Sequence, residues 1–501
     1  MMAPDLRRNG SVVALALLVS LVVNGVIFYV EGNNNVVFEV EHKFKGRRNE
    51  NGGRGSFLTS LKAHDSHRHG RMLAALDMPL GGNGSPTDAA LYFTKLSIGT
   101  PPQDYYVQVD TGSDILWVNC AGCVRCPKKS SLGIDLTLYD MKASSTGRLV
   151  SCDQDFCLSA FNAPASDCKV GNPCAYSVTY GDGSSTGGYF VRDYAKLNQL
   201  SGNLQTIPMN GSIVFGCSSQ QSGELGSSTE AVDGIIGFGQ ANSSIISQLA
   251  SAGKVKKIFS HCLDGINGGG IFAIGQVVQP KLKTTPLVPN EAHYNVVLNA
   301  IEVGGDVLNL PSDVLGGGSG SGTIIDSGTT LAYLPDDVYT PLMEKITASQ
   351  SNLKIHIVEN QFKCFVYSGN VDDGFPVVTF HFEDSLSLTV YPHEYLFDLH
   401  DDQWCIGWQN KGMQTRDGRE VTLLGDLVLA NKLVSYDLEN QTIGWAEYNC
   451  SSSIKLRDEK SGNVYAVGSH IISSARGLNA GKALRFLLLI ITSLLYALLI
   501  P

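Results

Sequence analysis

Tyr105-Tyr106-Val107-Gln108-Val109-Asp110-Thr111-Gly112-Ser113 and Thr323-Ile324-Ile325-Asp326-Ser327-Gly328-Thr329 are two copies of one pattern: an apolar, β-rich run that ends on an aspartate and breaks into a glycine turn. Each run has the composition of a strand, and glycine lets the chain turn sharply and lets two such loops approach closely. A lone Asp-Thr-Gly says little, because turns of this kind are common on protein surfaces. Here a second feature repeats with it. Ile235-Ile236-Gly237 follows the first aspartate and Leu423-Leu424-Gly425 the second, and duplication of a whole lobe accounts for both repeats.

Paired aspartates have a specific use. Two carboxylates in one site cannot both ionise easily, so one keeps a proton while the other stays charged, and the pair titrates as a unit. One serves as base toward a bound water and the other as acid toward an amide carbonyl, with no metal and no cofactor. Asp110 and Asp326 are the expected catalytic pair. Gly112 and Gly328 shape the turns, and the hydroxyls of Ser113 and Thr329 are placed to orient the carboxylates. Two copies in one chain exclude a half-size protease that works only as a homodimer.

The flanking residues, Tyr92-Phe93-Thr94 through Ile98-Gly99-Thr100-Pro101-Pro102 and Asp114-Ile115-Leu116-Trp117-Val118, carry a resemblance. So does Leu424-Gly425-Asp426 through Tyr436-Asp437 to Ile443-Gly444-Trp445-Ala446. From about Ala90 to Cys450 the chain resembles the pepsin family of aspartic endopeptidases, and more narrowly its plant, nepenthesin-like members. The resemblance implies a mostly β, bilobal fold with the active-site cleft between two β-rich lobes, and hydrolysis of polypeptide substrates at acid pH. Short β-branched runs and high Gly content agree with that fold class. Helix signals are few, the best being Ser244 to Ala252 and Pro335 to Ser349.

Tyr180-Gly181-Asp182-Gly183-Ser184-Ser185 is a hairpin-turn signal in itself, and the resemblance makes it the flap, with Tyr180 lying over substrate. The plainer reading of Tyr180 is a cross-strand aromatic. Trp117 is implied to hydrogen-bond that tyrosine, the alternative being a simple core residue.

Twelve cysteines suit six disulfides in an oxidising compartment. The Cys-x-x-Cys spacings of Cys120, Cys123 and Cys126 would also suit zinc, but the segment has no nearby histidine, so no metal is expected. The resemblance implies Cys120–Cys126, Cys123–Cys217, Cys262–Cys450 and Cys364–Cys405, and leaves Cys152, Cys157, Cys168 and Cys174 to pair among themselves.

The ends of the chain indicate its destination. Arg7 and Arg8 precede an apolar stretch from Val12 to Val30, which reads as a signal peptide over residues 1–30, with an uncleaved anchor as the alternative. Residues 31–76 are basic and read as a propeptide. With a formal net charge of −10 for the whole chain, they face an acidic body that attracts them at neutral pH. His64, His67 and His69 within that segment are taken as leader residues and not as a switch. At the other end Phe486 to Ile500 is an apolar run of fifteen residues, preceded by Ser473-Ser474-Ala475 and a polar or small-residue spacer. This arrangement suits a glycosylphosphatidylinositol signal with Ser473 as the attachment residue, a retained tail anchor being the alternative.

The expected organisation is therefore a first lobe over 77–285 with a Cys-rich insert and a second lobe over 286–450. A linker over 451–473 and a removed signal over 474–501 follow. Gly316 to Gly322 reads as a surface loop within the second lobe. Acceptor sequons stand at Asn83, Asn210, Asn242, Asn440 and Asn449. The expected product is a monomer on the outer face of the plasma membrane, held there by its lipid. No phosphate loop or basic nucleic-acid stripe is present, and the acidic balance argues against nucleic acid. A non-catalytic binding or inhibitor protein on the same fold is the competing class.

Overall fold

The structure, a computed structural model, describes residues 73–87, 90–161, 168–311, 315, 322–359, 362–400, 402–410, 413–414 and 420–472. These lie in one compact unit spanning 71–501. The signal-peptide assignment, the propeptide assignment up to residue 72, the Gly316–Ser321 loop, Ser473 and the terminal apolar run fall outside the described residues. Among those described, no helix is long and apolar enough to cross a membrane.

The duplication seen in the sequence is a duplication of strand pairing. In the first lobe Gln103–Asp110 runs parallel to Gly234–Gly237, with Asp110 opposite Gly237, and Trp117–Val124 pairs antiparallel with that same short strand. In the second lobe Thr323–Ile325 runs parallel to Leu423–Leu424, and Ala332–Leu334 pairs antiparallel with it. The repeated apolar pairs are thus central strands covered on both faces, which is why they read as unbroken apolar runs.

One sheet serves both lobes. Ile258–Leu263 pairs with Gly270–Ile274 on one side and with Lys432–Asp437 on the other. Because side chains alternate along a strand, Phe259, His261, Phe272, Ile274, Val434 and Tyr436 share one face. Cys262, Ile271, Ala273 and Leu433 share the other. The first face joins the main core beneath the aspartate turns, where Phe259, Phe272, Val434 and Tyr436 pack with Phe238 and Tyr294. The second is covered by Ile454, Leu456 and Val467.

Those three residues come from a stretch expected to be a linker. Ser453–Arg457 and Val464–Gly468 form an antiparallel hairpin that extends Gln276–Gln279 into a three-stranded sheet. Beyond it, His470 and Gly270 exchange backbone hydrogen bonds of 2.9 and 2.7 Å, and the Ile472 amide donates to Leu80 at 2.8 Å. The assignment of 451–473 as linker is corrected accordingly: the apolar side of the hairpin is buried, so the segment is part of the body through Ile472. The body also starts ahead of residue 77, since Ala74, Ala75 and Leu76 are all buried and the Leu200 amide donates to Ala75.

The disulfides differ from expectation at one place. Cys120 pairs with Cys217 and Cys123 with Cys126, in place of Cys120–Cys126 and Cys123–Cys217. The cause is strand register. Trp117–Val124 lies parallel to Gln205–Ser222 with Val118 opposite Cys217, and the Cys120 and Cys217 Cα atoms stand 5.4 Å apart, within bridging range. Cys123 and Cys126 are left on either side of Arg125, whose φ of 64° folds the chain back on itself. Cys262 pairs with Cys450 and Cys364 with Cys405. The insert closes as Cys152–Cys168 and Cys157–Cys174, around a helix at Asp155–Phe161. The two helices read from sequence form as Ile245–Ser251, capped by Ser244, and Asp336–Ala348, entered from Pro335.

Candidate active site

Asp110 and Asp326 each end a central strand and face one another across their glycines. Both carboxyls are buried. A Cβ built on Gly328 would stand 2.0 Å from Asp110 Oδ1, and one on Gly112 2.5 Å from Asp326 Oδ2. Only residues without a side chain allow this approach.

Each turn holds its carboxylate in the same way. The Gly112 amide donates to Asp110 Oδ1 at 2.8 Å and the Ser113 hydroxyl to Asp110 Oδ2. The Gly328 amide donates to Asp326 Oδ1 at 2.7 Å and the Thr329 hydroxyl to Asp326 Oδ2 at 2.8 Å. The turns are also tied to each other, because the Ser327 amide donates to Thr111 Oγ1 at 2.8 Å. Burial first, and the neighbouring Asp326 charge second, push the Asp110 carboxyl up to about 7. Proton sharing is the expected behaviour of two carboxyls buried in one site.

The repeated glycines support the turns from below. The Phe238 amide, next to Gly237, donates to the Asp110 carbonyl at 2.8 Å, and the Asp426 amide, next to Gly425, donates to the Thr329 carbonyl at 2.7 Å. A Cβ at Gly425 would meet Thr329 O at 2.2 Å and Leu331 O at 2.3 Å.

Tyr180 sits at the tip of the hairpin between Ala175–Thr179 and Ser185–Gly202. The Tyr180 carbonyl accepts from Gly183, which takes a φ of 81°. The Trp117 indole N–H donates to the Tyr180 hydroxyl at 2.7 Å, so this buried tryptophan is both core and support. Burial and then the Asp110 charge hold the Tyr180 hydroxyl in its protonated form. Burial first, and the Asp182 charge at the same tip second, raise the hydroxyl of Tyr333, a second-lobe residue.

Asp426 joins the site without having been singled out from sequence. It is buried, its Oδ1 has no partner among the described residues, and burial followed by the Asp326 and Asp110 charges raises its carboxyl well above the usual range. The one available signal was an acid directly after the apolar Leu423-Leu424-Gly425 run.

Among the described residues, Cys152, Asp153 and Cys168 have ligand-like spacing, but the two sulfurs are bonded to each other. Asn210, Asn242, Asn440 and Asn449 are exposed and Asn83 is half-buried.

Comparison with known proteins agrees with this geometry. Family models described as Xylanase inhibitor N-terminal and Xylanase inhibitor C-terminal match residues 92–276 and 293–447. Aspartic proteinase 36 of Arabidopsis thaliana is 54% identical over 478 residues, covering 95% of this chain and 96% of that protein. Aspartic proteinase nepenthesin-2 of Nepenthes gracilis is 28% identical over 377 residues, 72% of this chain and 78% of that protein. Among solved structures, edgp superposes with a TM-score of 0.59 at 21% identity, covering 75% of this chain and 95% of that one. Basic 7S globulin from soybean superposes with 0.58 at 21% identity, covering 75% and 96%. These two structural likenesses concern the fold alone.

Proposed function

Taking as premise that this chain belongs to the plant pepsin-like aspartic proteinase family, we propose that it is an active aspartic endopeptidase working at acid pH. The observation that carries the reading is the mutual approach of the Asp110 and Asp326 carboxyls across Gly112 and Gly328. One proton resides on the pair. The ionised carboxylate takes a proton from a water whose oxygen attacks the amide carbon, while the protonated carboxyl gives its proton to the carbonyl oxygen. Collapse of the tetrahedral diol then returns a proton to the leaving nitrogen, and the C–N bond breaks. Tyr180 closes above the bound peptide and excludes bulk water.

The reading extends to the chain's surroundings. After loss of residues 1–30 and of the basic segment ahead of Ala74, the body carries N-glycans and is attached through Ser473 to a lipid on the outer face of the plasma membrane. Its partners are polypeptide substrates.

A second reading, a non-catalytic binding protein, draws support from the description of the matching family models. The two are separated by Asp110→Asn and Asp326→Asn. Each should abolish cleavage of a peptide mixture at acid pH while leaving the melting temperature nearly unchanged. Wild-type protein that cleaves no peptide, or variants that cleave at the wild-type rate, would refute the endopeptidase reading.

A further inference from the structure

The six disulfides differ in what can reach them. In four, Cys120–Cys217, Cys157–Cys174, Cys262–Cys450 and Cys364–Cys405, both cysteines are buried. In Cys123–Cys126 and Cys152–Cys168 both are partly exposed. A thiolate from solution can attack only where it has access, which in the folded protein leaves these two.

Their electrostatic settings are opposite. The Asp153 carboxylate lies within 4.8 Å of the Cys152 and Cys168 sulfurs, where it repels an incoming thiolate and disfavours the thiolate that must leave. Cys126 is preceded by Arg125 and followed by Lys128 and Lys129, all three exposed, and no acid stands between Cys120 and Ile134. The segment packed on this loop, joined to it by the Ser131 amide donating to the Thr229 carbonyl at 2.8 Å, brings two acids, Glu224 and Glu230. Three cations thus outnumber them. Cations beside a cysteine favour its thiolate, and with it departure from a disulfide.

The loop is small, yet its contacts lead to the flap. The Arg125 carbonyl fits against Gly226, where a Cβ would come within 2.6 Å. Gly226 belongs to the short helix Glu224–Ser227, and Leu225 beside it packs in the apolar cluster that contains Ile115, Trp117 and Tyr180. On its other side Cys126 Sγ stands 3.2 Å from Asn119 Oδ1, which accepts from Gln221 Nε2 at 2.6 Å, just ahead of that helix. A bridge of sequence separation 3 restrains the unfolded chain little, so the fold survives its opening. What opening releases is Arg125, held at a φ of 64° inside the closed ring, a conformation such a residue rarely adopts. As Arg125 relaxes, its carbonyl leaves Gly226.

We propose that Cys123–Cys126 is a redox site of the mature protein: a dithiol opens it ahead of the other five bridges, and opening slackens the support of the flap and lowers turnover. One thiolate of the dithiol attacks Cys123 Sγ, the Cys123–Cys126 bond breaks, and Cys126 leaves as a thiolate that takes up a proton. The second thiolate of the reagent then attacks the reagent's own sulfur in the mixed disulfide, releasing Cys123 and closing the reagent's disulfide. Two electrons and two protons pass to the protein. The effect on turnover rests on the endopeptidase reading, and the order of opening does not.

The test treats the full-length mature protein with limiting dithiothreitol at mildly alkaline pH, then transfers it to acid, where scarce thiolate halts further exchange. Differential alkylation read by mass spectrometry should label Cys123 and Cys126 while the other ten cysteines stay bonded. Cleavage of an internally quenched peptide at acid pH should fall about fivefold in kcat/KM and recover on reoxidation. Amide hydrogen exchange of residues 176–184 and 223–228 should quicken on opening. Cys123→Ser with Cys126→Ser should show the same loss untreated and no response to the reagent. Lys128→Glu with Lys129→Glu should be as active as wild type when oxidised but open about tenfold more slowly. Labelling of Cys152 and Cys168 first, unchanged turnover or exchange in the opened protein, or an equal opening rate in the Lys variant would each overturn the proposal. So would a rise in exchange that includes the helix Ile245–Ser251, which would mean general unfolding. A wild-type protein that cleaves nothing, yet opens first at Cys123–Cys126 with the local exchange response, supports the redox site and refutes the endopeptidase reading.

Discussion

Adding a single methyl group to either active-site glycine should separate geometry from chemistry, because both aspartates are retained. In Gly328→Ala the new Cβ would start 2.0 Å from Asp110 Oδ1 and 2.6 Å from Asp110 Cγ, where ordinary contact begins at 3.4 Å. The carboxyl or the turn must therefore retreat by about 1.4 Å, in an interior packed too densely to absorb it. Asp110 cannot swing away freely, since Gly112 and Ser113 hold both of its oxygens. A displacement of about 1 Å at a reacting group costs on the order of 10²-fold in rate, so Gly328→Ala should lose at least that much in kcat. Gly112→Ala begins at 2.5 Å from Asp326 Oδ2, needs a retreat of only about 0.9 Å, and should lose less. Overpacking should cost each variant about 1–3 kcal/mol. The assay is turnover of a quenched peptide at acid pH, corrected for folded fraction by calorimetry. A Gly328→Ala variant within threefold of wild type, or a Gly112→Ala variant worse than it, would refute the facing-carboxylate geometry.

Further outcomes follow from the same structure. Asp110 and Asp233 are raised, to about 7 and about 6, and Asp426 is also raised, so between about pH 4 and 6 the folded state binds protons that the unfolded state has released. Stability should fall as pH rises through that window, opposed only in part by neutral His261; a melting temperature at pH 7 equal to or above that at pH 4.5 would contradict this. Replacing Cys364 and Cys405 together by Ala opens a bridge of sequence separation 41 and should cost about 4 kcal/mol in denaturant unfolding, against under 2 for Cys123 with Cys126. Tyr180→Ala should reduce kcat more than it reduces stability, and the opposite ranking would make Tyr180 a core residue. A phosphatidylinositol-specific phospholipase should release the membrane-bound protein, whereas recovery of Phe486–Ile500 peptides from that protein by mass spectrometry would rule out the lipid anchor.

What was legible in the sequence was whatever depends on local pattern. The two aspartate turns, the apolar pairs with their glycines, the flap turn and the two helices, one opened by Ser244 and the other by Pro335, are each set by a short local stretch. The Cys120, Cys123, Cys126 and Cys217 pairing was not legible, because it depends on the register between Trp117–Val124 and a strand about 100 residues on. Asp426 gained its place from burial beside two other acids, which no local pattern reports. The hairpin beyond residue 450 was a signal passed over: Ile454 and Leu456 alternate with Lys455 and Arg457, the period of a half-buried strand.

That hairpin also bears on where the chain can be shortened. Its apolar side covers the face of the shared sheet turned away from the aspartates, and its backbone is tied to the body as far as Ile472, beside Leu80. A chain cut at Cys450 would bare that face to water, so Ile472 and not Cys450 is the boundary at which the sheet common to both lobes keeps its cover.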